Sequence, residues 1–110
     1  MNSYHFTTII YEHMKNDPRN GILTIAKFLG EEYVSKLLEN DEYLLKLVLS
    51  RSSVNFMKSE LKFNFLVRKG VIGDWKNHFN SSQSKLVDDK FYNTFKGTDI
   101  LNLWEHYIKW

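Results

Sequence analysis

The chain contains no cysteine. That absence excludes a disulfide scaffold, a thiolate zinc site and a cysteine nucleophile, and it is compatible with a reducing compartment. No stretch approaches the roughly 20 consecutive apolar residues of a membrane span, and the start lacks the apolar core of a secretion signal. Charge of one sign is scarce as well. Fifteen Lys+Arg against thirteen Asp+Glu leave a formal charge of +2, too small to argue for non-specific binding to nucleic acid or a membrane surface. There is no internal repeat, no low-complexity stretch and no linker that would divide domains. What is present is ordinary: 110 residues, 43% hydrophobic, 15% aromatic and 25% charged. These values suit one folded domain with its own core and argue against disorder. The expectation is a soluble, cytoplasmic chain.

The stretch Phe6-Thr-Thr-Ile-Ile-Tyr11 is β-branched and aromatic. Its composition predicts a strand, and the lack of clean alternation predicts burial on both faces. Asp17-Pro18 then opens a helix, with Asp as N-cap and Pro in the first turn. Ile22, Ile25, Ala26 and Leu29 follow at helical spacing and Gly30 ends the element. Residues 31–49 carry a second helical pattern, which the polar patch Glu39-Asn-Asp-Glu42 divides in two. A hydroxyl-rich turn at residues 50–53 leads into Val54-Asn-Phe-Met-Lys58. Residues 63–77 read as loop, with Gly70 and Gly73 bracketing Val71 and Ile72. Helical spacing resumes at Leu86, Val87, Phe91 and Phe95 and stops at Gly97. A last amphipathic piece runs through Ile100, Leu103, Trp104, Tyr107 and Ile108. A lone buried strand would leave donors and acceptors unpaired at ~1–3 kcal/mol each. It therefore implies neighbours from another chain or from sequence upstream of Met1.

The chemistry concentrates in Arg68-Lys-Gly-Val-Ile-Gly-Asp-Trp-Lys-Asn77. Arg68 offers a planar fork for two oxygens and Lys69 a point charge. Gly70 lets backbone amides approach an anion closely, as in a nest. A phosphate monoester carries roughly −1.5 to −2 charge near neutral pH, so it calls for several such donors. The plain alternative is a basic surface loop with two turn glycines. His5, His13, His78 and His106 share no metal-ligand spacing, and no carboxylate pair or Ser/His/Asp order suggests another catalytic site.

The longer string, Val67-Arg-Lys-Gly-Val-Ile-Gly-Asp-Trp-Lys-Asn77 with Phe79, closely resembles the carboxy-terminal signature of the cytosolic sulfotransferases, RKGxxGDWKNxF. Tyr11-Glu-His-Met-Lys-Asn-Asp-Pro18 followed by Ile25-Ala-Lys-Phe-Leu-Gly30 resembles the family's YEDMKxDP…IAxFLG, with His13 in place of Asp. Ser52-Ser-Val-Asn-Phe-Met-Lys58 is similar to TSFxxMK. The resemblance implies an α/β fold: the helix-rich carboxy-terminal portion of a P-loop-like domain with a parallel sheet. It would contribute one strand, about 6–11, and several helices, with 1–110 as a partial domain. It also implies sulfuryl transfer from 3′-phosphoadenosine 5′-phosphosulfate to a hydroxyl or amine of a small acceptor, such as a phenol, alcohol or amine.

By the same resemblance Arg68, Lys69 and Gly70 hold the 3′-phosphate, while Tyr11, Ser52, Ser53 and Met57 surround the adenine. An aromatic ring, a thioether and hydroxyls suit a flat, weakly polar base. A core tyrosine and plain packing are the alternatives for Tyr11 and Met57. Val54 stands where the family has Phe, and Leu66-Val67 where it has Phe-Met, which should weaken stacking. Asp74 and Trp75 are expected to be structural, Asp74 as a cap of a short helix and Trp75 as support for the loop. The family's dimer motif, KxxxTVxxxE, falls on Lys76–Lys85. Asn80, Ser81 and Lys85 replace Thr, Val and Glu, which argues against that mode of homodimerisation.

The family's YPKSGTxW loop, its RNP segment and its catalytic histidine have no counterpart in these 110 residues. The chain is therefore expected to be a fragment, a degenerate copy or a truncated isoform, inactive alone and with apolar surface exposed. The rival reading is a non-enzymatic helical interaction module.

Overall fold

The computed structural model describes residues 6–60, 62 and 64–108. Helices dominate: α1 Tyr11–Asn16, α2 Pro18–Leu29, α3 Glu31–Arg51, α4 Val54–Glu60 and α5 Ser81–Phe95. Short 3-10 turns lie at Asn64–Leu66, Asp74–Asn77 and Asp99–Asn102. None of these helices is long and apolar enough to cross a membrane.

The predicted strand over 6–11 does not form. Residues 6–10 carry no regular structure, Phe6 is largely exposed, and Tyr11 is the first residue of α1. Among the described residues there is no strand to accept its ladder. A strand's hydrogen bonds need a neighbour, whereas a helix satisfies its own. The chain takes the second route as soon as it can. Ile10 remains extended and its carbonyl receives the Met14 N–H at 3.0 Å.

Chain contacts divide the protein into two compact units, the first ending at Gly70 and the second beginning at Val71. In the first unit α1 packs on α2, α2 on α3, and α3 on α4. The Asp17 carboxylate accepts the Asn20 N–H at 3.1 Å, with Pro18 in the first turn, as the sequence predicts for the start of α2. At the other end the Gly30 N–H bonds the Ala26 carbonyl at 2.9 Å. Gly21 makes the α1–α2 approach close, since a side chain there would meet Met14 Cγ at 2.9 Å. Among the described residues, the buried apolar ones are Ala26 on α2 and Leu45 on α3. Much else that is apolar stays exposed, including Leu29, Tyr33, Tyr43 and Leu44.

The break in the second helical pattern lies where the polar patch placed it. Glu39 turns out of helical conformation at ψ 156°, and Asn40, Asp41 and Glu42 take positive φ of 50°, 56° and 59°. Short polar side chains tolerate that region better than apolar ones. The break is tied down from two sides: Arg19 of α2 pairs with Glu42, and the Lys46 ammonium lies 3.0 Å from Asp41.

In the second unit α5 begins with a capping box. The Asn80 side chain accepts the Gln83 N–H at 2.8 Å and the Gln83 side chain accepts the Asn80 N–H at 3.0 Å. Phe91 packs against Phe95, with centroids 5.1 Å apart, and edge-on against Trp104 at 6.2 Å. The last amphipathic piece is a 3-10 turn followed by hydrogen-bonded turns, with the Tyr107 and Ile108 N–H groups on the Trp104 carbonyl.

Candidate anion-binding site

The loop that carries Arg68, Lys69 and Gly70 starts from a closed turn: the Val67 N–H bonds the Asn64 carbonyl at 3.0 Å. Arg68 and Lys69 follow with exposed side chains, and Gly70 is half-buried. Gly70 has φ +61°, the left-handed conformation. A left-handed residue is one half of the alternating pair that turns successive amides into an anion-binding nest.

Gly70 is also where distant stretches of chain meet. A Cβ built on it would lie 2.5 Å from Val54 Cγ2 and 3.5 Å from Lys15 Nζ. The first residue of α4 and the last turn of α1 therefore both reach the glycine. A side chain at position 70 would collide with Val54, while the Lys15 ammonium stands at contact distance. Val54 is smaller than the phenylalanine the resemblance leads one to expect, and it leans on the loop backbone.

The adenine-side residues fare differently. Ser53 immediately precedes Val54, so it lies at the edge of the same meeting point. Its hydroxyl donates to the Ser50 carbonyl at 2.8 Å and accepts the Phe56 N–H at 3.2 Å. Ser52 closes α3 and its hydroxyl donates to the Leu49 carbonyl at 3.3 Å. Both hydroxyl protons are thus spent on carbonyls at the end of α3, and the Ser53 oxygen also takes the Phe56 N–H of α4. Met57 is half-buried on α4, three residues after Val54 and on the same side of the helix. Tyr11 is half exposed at the start of α1 rather than at a strand end.

In the second unit the Asp-Trp-Lys-Asn-His-Phe string closes on itself. Asp74 accepts the Asn77 amide at 3.0 Å and lies 3.5 Å from His78 Nε2. The Trp75 ring faces Phe79 at 6.4 Å, and the Lys76 ammonium sits 5.6 Å from the Trp75 centroid. One expectation needs correcting: Gly73 occupies the cap position and Asp74 is the first residue of the turn. The Gly73 φ of 82° explains this, since a left-handed bend must precede the turn and Asp74 follows it.

Sequence reasoning missed Lys15 and the packing role of Val54. Lys15 stands four residues after Tyr11, one helical turn, and lies beyond the stretch 6–11 read as strand. Among the described residues no group of three or more His, Asp or Glu could hold a metal. Around Gly70 the structure brings the Lys15 ammonium close to the loop that carries Arg68 and Lys69.

Comparison with known proteins identifies the family. A family model described as a sulfotransferase domain matches residues 1–99. Sulfotransferase 2A1 of Rattus norvegicus is 39% identical over 106 residues, 84% of this chain and 35% of that protein. Sulfotransferase 2A1 of Macaca fascicularis is 36% identical over 109 residues, covering 87% and 35%. Sulfotransferase 1C2 of Rattus norvegicus is 33% identical over 104 residues, covering 88% and 35%. The chain thus spans about a third of the length of these curated relatives. No solved structure matches.

Proposed function

The chain belongs to the sulfotransferase family, and from that premise we propose that its first unit forms the side of the donor site that grips the 3′-phosphate and adenine of 3′-phosphoadenosine 5′-phosphosulfate. Arg68 binds two phosphate oxygens through its fork, Lys69 adds a second charge, and Gly70 lets the backbone amides come near. Tyr11, Met57 and the Ser52 and Ser53 oxygens border the base. The observation that carries this reading is the meeting of Lys15, Val54 and Gly70, which sets the cationic loop beside the turn holding the two serines.

The bound donor supplies the sulfuryl group, which the family activity delivers to a hydroxyl or amine of a small acceptor. The residues of this chain bind and orient; the segments that the resemblance assigns to phosphosulfate binding and proton abstraction are not among the 110. The chain alone should therefore bind the nucleotide without turning it over, and its proposed setting is the cytoplasm. The family's dimer text is replaced at Asn80, which spends its side chain on capping α5. That supports a chain that does not pair through this segment.

The test is calorimetry with adenosine 3′,5′-bisphosphate. Arg68→Ala should weaken binding by ~1.5–3 kcal/mol, the range for hydrogen bonds to charged groups. Adenosine 5′-monophosphate, which lacks the 3′-phosphate, should bind both proteins alike. No binding of the bisphosphate, or equal binding by the variant, would remove the phosphate role.

A second reading, a helical interaction module, is favoured by the apolar side chains left exposed along α3, among them Tyr33, Leu38, Tyr43 and Leu44. It predicts partner binding that survives loss of Arg68 and Lys69.

A further inference from the structure

We infer that Lys15 is a third cation for the same phosphate, reaching it from α1 beside the loop that carries Arg68 and Lys69. The inference rests on the phosphate reading above and adds a residue to it. The helix is what makes it possible. Tyr11 and Lys15 are four residues apart on α1, so they share one face and are separated by a single turn. Lys15 Nζ ends 3.5 Å from where a Cβ on Gly70 would be, so an anion seated on the left-handed glycine lies within reach of that ammonium.

Among the described residues no carboxylate lies within ion-pair distance of Lys15. Among these residues no carboxylate neutralises its charge. An ammonium on a flexible stem can follow the anion as it settles, complementing the fixed fork of an arginine. The same α1 face then carries the ring of Tyr11 to the base and the charge of Lys15 to the phosphate, so one helix sets the spacing between the two ends of the nucleotide.

The experiment uses the 110-residue chain and adenosine 3′,5′-bisphosphate. Lys15→Gln should weaken binding about tenfold, as for loss of one charged hydrogen bond, and Lys15→Arg should restore most of it. In the unmodified chain, acetylation of the Lys15 amine by an amine-reactive ester, read by mass spectrometry, should slow when the bisphosphate is added. It should not slow with adenosine 5′-monophosphate. If Arg68→Ala weakens binding while Lys15→Gln does not, and Lys15 acetylation is unprotected, the Lys15 role is overturned and the loop reading stands. If Lys15→Gln weakens binding and Arg68→Ala does not, the loop reading fails and Lys15 stands. Absence of bisphosphate binding overturns both.

Discussion

Val54 rests against Gly70 so closely that a methyl group built on the glycine would lie 2.5 Å from Val54 Cγ2. Two separate penalties follow for Gly70→Ala. The left-handed φ of +61° is unfavourable for a residue with a Cβ, by ~1–2 kcal/mol. The overlap then forces Val54 or the loop to move. In a urea series Gly70→Ala should lower the unfolding midpoint clearly. Adding Val54→Ala should recover the overlap part and leave the conformational part, so the two changes should not be additive. A Gly70→Ala protein that unfolds with the wild type would mean that the loop does not need its left-handed turn.

Leu45 is fully buried on α3, while its neighbours Tyr43 and Leu44 are exposed. Leu45→Ala should destabilise the chain by ~2–5 kcal/mol, nearer the low end because the thin α2–α3 packing can close over the gap. Denaturant unfolding followed by helical ellipticity measures this directly. The same geometry decides how the interaction-module reading is tested. A Leu45 variant that loses a partner reports loss of the fold. Substituting Tyr43 or Leu44 by Ser should change stability by no more than ~0.5 kcal/mol, so partner loss in those variants reports a contact surface.

Arg19 donates a hydrogen bond to Glu42, and this bond is the main reason the Glu42 carboxyl titrates below its ordinary value of 4.5. The same contact raises the Arg19 value further, so the guanidinium stays charged throughout. A depressed carboxylate stabilises the fold above its unfolded pKa and loses that contribution as pH falls through the lower, folded one. Thermal unfolding should therefore be flat in this respect above about 4.5 and decline below it. Glu42→Gln should flatten the acid limb while leaving its shape near neutrality unchanged. An identical acid limb in that variant would show that the α2–α3 clasp does not form in solution.

Local signals in the sequence were legible wherever a short stretch settles its own structure. Asp17-Pro18 opens α2, Gly30 closes it, and the patch at 39–42 breaks the helix that follows. The two ends of α2 depend only on groups within a few residues along the chain. The stretch over 6–11 misled because β-branched composition reports what would suit a sheet, not whether a partner strand is present. Without one, residues 6–10 stay irregular and Tyr11 begins a helix. In the site, the triplet at 68–70 was legible by its chemistry, but its neighbours were not. Lys15 is 55 positions away from Gly70 and Val54 is 16, and nothing in either segment announces that contact. Ser52 and Ser53 were read for their hydroxyls, whose protons the structure commits first to carbonyls at the end of α3.

The start of α5 offers a comparison of two local devices. Asn80 and Gln83 exchange hydrogen bonds with each other's backbone, satisfying two N–H groups that a helix start otherwise leaves open. One turn later the Lys85 ammonium lies 2.7 Å from Asp89, which raises the Lys85 pKa, but both side chains are mostly exposed. Exposed pairs of this kind are screened and contribute little. The cap should therefore dominate. Asn80→Ala should destabilise α5 by about 1 kcal/mol, Asn80→Ser should be nearly silent, and added salt should matter little. Amide exchange in the first turn of α5 reads the effect without interference from the first unit. Unchanged protection in Asn80→Ala would mean that the packing of Phe91 on Trp104, farther along, holds the helix regardless of its cap.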